Sequence, residues 1–156
     1  MNWEAVREEL AKPEYAGRIA ANDWEGIAGE WNGTPATYRD TVERDLLQNA
    51  LMQIPAGQTT LWFALRAIAR DPAHPLHQLA DAVVYVVEGS LLKAINLDNP
   101  AVAAMLDQLQ AAGLLTGEQK AAIRSLGDHS CTKAELIAGR TVEPVDLYNA
   151  WVTRHG

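Results

Sequence analysis

From Met105 to Trp151 the chain alternates apolar runs with helix starts and stops so closely that only short helices fit between them. Pro100 occupies the first position of a helix over Pro100–Ala112, where its fixed φ and missing N–H cost nothing. The inward stripe of that helix is Val102, Met105, Leu106, Leu109 and Ala112. Gly113 ends it. Thr116-Gly117-Glu118-Gln119 then reads as a capping box, a hydroxyl at the cap with Gln three residues on, opening a helix over Glu118–Leu126. Gly127 closes that helix. Ser130 or Thr132 starts a short one running to Ala138, stopped by Gly139. Thr141 precedes a proline-started helix, Pro144–Thr153, with Leu147, Ala150 and Trp151 facing inward.

The same punctuation organises the rest. Asn2 caps Trp3–Ala11, where Trp3, Val6, Arg7 and Leu10 share one face, and Pro13 stops it. Asn22-Asp23 caps a helix carrying Trp24, Ile27, Ala28 and Trp31, which Asn32-Gly33 ends. Thr34-Pro35-Ala36-Thr37 is an extended connector, because the residue before proline avoids the helical region. Asp40 or Thr41 caps Val42–Ile54, and Pro55-Ala56-Gly57 breaks the chain. Thr59 caps Thr60–Arg70, which is apolar almost all round and therefore central. Asp71–Pro75 is a loop. The β-branched pairs Val83-Val84 and Val86-Val87 favour a strand, but the helix formers on both flanks decide for one long helix, Leu76–Ile95, with Gly89 as a bend. Asn96–Asn99 is a turn. No strand and no repeat emerges. The pattern predicts an all-α fold, an irregular bundle of seven to nine mostly short helices in one domain over residues 1–156. The Thr60–Arg70 and Leu76–Ile95 pair lies at its centre, residues 1–33 form a peripheral segment, and the Trp151 helix packs outside.

A length of 156 residues is one domain's worth and buries a real core. Hydrophobic residues are 48% and charged residues 21%, which places the chain among globular rather than disordered sequences. The net charge of −7, without any basic run, argues against nucleic acid and against anionic membranes as partners. Cys131 is the sole cysteine, so neither an internal disulfide nor a multi-cysteine metal site can form, which suits a reducing compartment. Met1-Asn2-Trp3-Glu4 has no signal-peptide pattern. The longest apolar run, Ala82–Val87, is far short of the roughly 20 residues a membrane span needs. These features predict a soluble protein.

Chemical candidates are few. His74 and His77 stand at i, i+3, a spacing that grips zinc on a helix, but Pro75 separates them and no third ligand is near in sequence. Asp128-His129-Ser130-Cys131 gathers an acid, a base and two nucleophiles, although adjacent residues on a turn seldom point at one spot. Glu8, Glu9, Asp40, Glu43 and Asp45 include possible carboxylate pairs, yet such charges usually belong to solvated helix faces, and Arg39, Glu43 and Arg44 fit ordinary i, i+4 surface pairing. No cofactor or metal is implied.

Two segments resemble small helical virion-associated proteins of tailed bacteriophages. One runs from Leu10-Ala11-Lys12-Pro13-Glu14-Tyr15-Ala16-Gly17 to Trp31-Asn32, a short amphipathic helix leading into a Tyr-Ala-Gly turn and a helix closed by Asn. The other spans Met105–Ile123 with its apolar helix, Gly, Thr cap and Glu-Gln, continued by Ser130–Leu136 and Thr141–Leu147. Arg18-Ile19-Ala20-Ala21 before the second cap, and Trp31 in place of an aliphatic residue, depart from that pattern, and Ala56–Asn99 has no counterpart. The resemblance covers about half the chain and implies a virion or virion-assembly protein with no catalytic residues.

Five tryptophans against one phenylalanine is a skewed choice. Trp62 belongs to the central helix and reads as core. Trp3, Tyr15, Trp24, Trp31 and Trp151 are candidate interface residues, since Trp and Tyr on short terminal segments either anchor a partner or pack those segments down. The expected function is a non-enzymatic structural protein of a tailed-phage particle, in its tail, baseplate, neck or capsid surface, assembled in the host cytoplasm and touching other virion proteins or further copies of itself. The alternatives are a small metal- or Cys-dependent enzyme and a host-side helical adaptor or regulator.

Overall fold

Helix signals close to the chain decide most of the elements in a computed structural model, which describes residues 1–89 and 93–155. Asn2 accepts a hydrogen bond from Ala5 N and starts α1 (Trp3–Leu10). Pro13 opens α2 (Pro13–Ala20), so the expected Tyr-Ala-Gly turn is instead helical. Proline at the first helical position begins a helix as readily as it ends the one before. Asp23 caps α3 (Trp24–Gly33) through Gly26 N. Further on come α4 (Arg44–Met52), α5 (Leu61–Ala69) and α6 (His77–Val84). Asn99 caps α7 (Pro100–Ala111). Complete capping boxes start α8 (Gly117–Arg124) at Thr116 and Gln119, and α9 (Lys133–Ala138) at Thr132 and Glu135. The last helix is α10 (Pro144–His155).

The all-α expectation is overturned. The fold is 64% helical, but the described residues also form short strands in three two-stranded sheets, which makes it a mostly helical mixed fold. The strands are β1 (Pro35–Arg39), β2 (Val42–Glu43), β3 (Pro55–Ala56), β4 (Thr59–Thr60), β5 (Ala94–Ile95) and β6 (Asp128–Thr132). Two corrections follow. The helix expected to begin at Val42 begins at Arg44, because Val42 and Glu43 pair antiparallel with Ile95 and Ala94. The long helix expected over Leu76–Ile95 ends at Val84, passes into a π turn over Tyr85–Gly89, and has its last two residues in β5. Its stretch 90–92 lies outside the described residues. Val83 and Val84 stay helical, and at the far end a strand partner some fifty positions upstream outweighs the helix formers that precede Ala94. Pro55-Ala56 and Thr59-Thr60 likewise form a hairpin around Gly57, whose φ of +61° suits a residue without Cβ.

A length of one domain does not distinguish one core from two, and the contacts give two compact units. The split unit joins Met1–Tyr38 to His129–Gly156, and the continuous unit is Arg39–Asp128. In the split unit α10 packs against α1 and α3, and α9 against the same two helices. Its core is Val6, Leu10, Tyr15, Ile27, Ala28 and Trp31 from one stretch, with Ala134, Ala138, Val142, Leu147 and Ala150 from the other. Polar bonds tie the two stretches together. The Asn32 side-chain amide donates to Val142 O at 2.8 Å and accepts from Val142 N at 3.0 Å. Lys133 N donates to Thr34 O, and Asn2 N to Ala138 O. Strands β1 and β6 pair as well.

The core of the continuous unit is aliphatic apart from Trp62. Helices α5 and α6, the expected central pair, make its most extensive helix–helix contact. Leu51, Leu61, Trp62, Leu65, Leu97 and Leu109 are among its fully buried side chains. Its first and last residues meet in a forked ion pair, Arg39 Nε and Nη2 to the Asp128 carboxylate at 2.5 and 3.2 Å, while Arg39 Nη1 reaches Asp98 at 2.8 Å. The expected Arg39–Glu43 helical pairing is therefore absent, since neither residue lies in a helix.

Candidate interaction surface

Helix α10 has two apolar faces. Leu147 and Ala150 are fully buried, with Trp151 half-buried beside them. On the opposite side Val145, Tyr148 and Val152 are 59%, 47% and 41% exposed. Their i, i+3, i+7 spacing makes one continuous stripe. Asn149 and Thr153 border it, also exposed, so no charged side chain interrupts the outward face from Val145 to Thr153. The acidic residue in this stretch, Asp146, is turned into a forked contact with Arg140 Nη2.

Aromatic rings flank the stripe on both sides. Trp3, 39% exposed at the start of α1, lines a shallow groove of about 250 Å³ with Arg7, Asn149 and Thr153. Arg7 holds α1 against α10 by donating to Ala150 O at 3.3 Å and to Thr153 Oγ1 at 3.4 Å. On the other side Trp24 meets the edge of Tyr148, centroids 5.9 Å apart at 76°. Surface that is aromatic and uncharged is the composition found at the centres of protein interfaces.

The five tryptophan and tyrosine candidates therefore separate. Trp3 and Trp24 border the stripe. Trp151 packs inward against the core. Tyr15 and Trp31 are interior and organise a polar knot there. Trp31 Nε1 donates to the Tyr15 hydroxyl at 3.1 Å, Lys133 Nζ donates to the same oxygen at 2.5 Å, and the hydroxyl donates to Glu30 at 3.3 Å. The Lys133 ammonium also lies 5.1 Å from the Tyr15 ring centroid and 5.7 Å from that of Trp31, a cation–π arrangement, and pairs with Glu9 at 3.0 Å. Burial works to raise the Glu9 pKa, but hydrogen bonds from Lys12 and Lys133 outweigh it and hold the carboxyl below its ordinary value. Burial likewise works to discharge Lys133, and its bonds to Tyr15 and Glu9 prevail and raise its pKa.

The chemical candidates disperse. His74 Nδ1 accepts from Leu76 N at 3.1 Å, and His77 Nδ1 lies 3.4 Å from Ile68 O, so each imidazole is engaged with backbone. Among the described residues no group of three or more His, Cys, Asp and Glu is placed to hold a metal ion. Asp128–Cys131 is strand, not turn, which sends neighbouring side chains to opposite faces. Asp128 is bound by Arg39, His129 stacks on Tyr38 at 5.1 Å, and half-buried Cys131 lines an open groove of about 520 Å³ with Tyr38, Glu135 and Leu136. Glu9 is taken by lysines, Asp40 accepts from Thr41 N at 2.7 Å, and Glu8, Glu43 and Asp45 are solvent-facing or at a rim. No helix among the described residues is long and apolar enough to cross a membrane.

Reading one inward stripe on Pro144–Thr153 missed the second. Val145, Tyr148 and Val152 stand at helical spacing, but nothing in that spacing tells whether a second apolar side is covered as the first is. The chain matches no protein-family model, no curated protein and no solved structure.

Proposed function

We propose that this protein is a non-catalytic structural component of a tailed-phage particle and acts through protein–protein contact. The single observation that carries the contact reading is the uncharged, aromatic-flanked outer face of α10 in a chain of net charge −7. A chain so acidic keeps its charged groups solvated, and a stripe that leaves them out can be covered without desolvating a charge. The phage assignment rests on the resemblance of the terminal segments. Of those segments, the C-terminal one folds with the caps that carry the likeness, at Thr116 and Thr132.

Quantitative mass spectrometry of purified virions tests the reading. The protein should be present at a fixed ratio to the major capsid protein, many copies meaning capsid or tail tube and a handful meaning neck or baseplate. Its consistent absence from particles sinks the proposal. Within that experiment, Trp3→Ala should lower incorporation more than it lowers the melting temperature, because the ring is surface-borne. Trp151→Ala should do the reverse, because its ring packs inward.

A further inference from the structure

We infer that the outer face of α10 is a self-association surface, and that its occupant is the α10 of a second copy packed antiparallel about a two-fold axis. This rests on the contact reading above and names the partner. The stripe is symmetric about the point midway between Tyr148 and Asn149: Val145 and Val152 lie equally far on either side. A two-fold axis at that point, lying between the helices and perpendicular to both, sets Val145 against the partner copy's Val152 position twice. It also sets Tyr148 opposite its own equivalent on one flank and Asn149 opposite its own on the other. Every apolar residue then meets an apolar one, phenol meets phenol, and amide meets amide, which is the self-complementarity an isologous interface requires.

Helix dipoles select the antiparallel sense: antiparallel packing of two copies of α10 opposes the two dipoles, whereas a parallel pair aligns like with like. Area sets the strength. Twelve residues make a helix about 18 Å long, and one such face falls well below the roughly 800 Å² per partner of a standard interface. Trp3 and Trp24 widen the contact, but the dimer remains weak in isolation, as suits a contact used repeatedly where copies are already concentrated.

Sedimentation velocity of the full chain from roughly 1 μM to 1 mM is the test. The wild type should pass from monomer to dimer across that range. Val145→Glu and Val152→Arg, each on the exposed stripe and each checked for an unchanged melting curve, should separately weaken dimerisation by at least about tenfold. The double variant carrying both should recover to within a few-fold of wild type, because each new glutamate then faces a new arginine across the interface. Within one chain these two positions lie about 10 Å apart along the helix and do not pair. A wild type that stays monomeric throughout overturns the inference, and so does a double variant no better than the singles, which excludes the antiparallel register. Monomeric protein that is still found in virions would overturn this inference alone and leave the structural role standing. A dimer absent from virions would do the opposite.

Discussion

The split unit and the continuous unit solve the same packing problem with different materials. Residues 39–128 follow one another, and their core is aliphatic apart from Trp62, with helices that meet their neighbours in sequence, such as α5 and α6, α6 and α7, and α7 and α8. The split unit must bring residues 1–38 to residues 129–156, so its defining contacts close a long loop before they return any stability. Its interior uses directional groups accordingly: the Trp31–Tyr15–Lys133–Glu9 knot, and the Asn32 amide gripping Val142 from both sides. Each of these joins the two stretches at a defined register, which non-directional burial does not do. The same unit carries the apolar stripe on α10. One half of the molecule is thus built to specify how distant segments meet, and the exposed apolar stripe of α10 belongs to that half.

The comparison is broken most forcefully in the cores. Trp31→Ala removes a fully buried indole together with the donor that positions Tyr15 and should cost about 3–5 kcal/mol. Leu65→Ala in the continuous unit should cost about 2–5 kcal/mol. Residue-resolved amide exchange should show the first loss concentrated in residues 1–38 and 129–156 and the second in 39–128. Uniform loss of protection in both variants would mean that the two units unfold as one.

Gly127→Ala probes the closing of the continuous unit. A Cβ there collides with the backbone oxygen of Asp40, whose N–H bonds Gly127 O at 2.9 Å. Because the obstacle is backbone and cannot swing aside, destabilisation of about 1–3 kcal/mol is expected in urea titration. A neutral outcome would show that the two ends of this unit separate freely.

Thr132→Ala and Thr116→Ala remove the same chemistry from opposite units, a capping hydroxyl and its reciprocal box. Each should cost about 1 kcal/mol by chemical denaturation. The loss at Thr132 should be the larger, because α9 has six residues and the adjoining Lys133 joins the polar knot, whereas α8 has eight.

The smallest effect is titration. Glu9 has a folded-state pKa below its ordinary 4.5. The stability it contributes is complete above the unfolded value and is lost as pH falls through the folded one. The unfolding midpoint should drop as the pH is lowered past the ordinary value of 4.5, and Glu9→Gln should shrink that drop. Lys133 acts in the opposite sense: its raised pKa contributes stability below its ordinary 10.5 that disappears as pH climbs past the folded value. An acid response unchanged in Glu9→Gln would assign the effect elsewhere, with Asp98, held down by its hydrogen bond from Arg39, the first candidate in the continuous unit.

What could be read directly from the residues was local. Asn2, Asp23, Thr116 and Thr132 cap helices because a short polar side chain can reach a free N–H three residues ahead, a relation contained within one turn. Gly113 and Gly139 stop helices because they take up positive φ, at +73° and +77°. The burial of Leu106, Leu109, Leu147 and Ala150 followed from helical periodicity for the same reason, and that of Trp62 from a helix apolar almost all round. Tertiary structure alone decided whether Val42 would begin a helix or pair with Ile95, and that Arg39 would clasp Asp128 rather than a helical neighbour. It also decided which aromatic rings sink and which stay at the surface, and that the second apolar side of α10 is left exposed. Two-residue strands are too short to show a period, and the partner that stabilises each lies tens of residues away, so the free energy choosing among these outcomes belongs to pairs of segments and is carried by neither sequence segment alone.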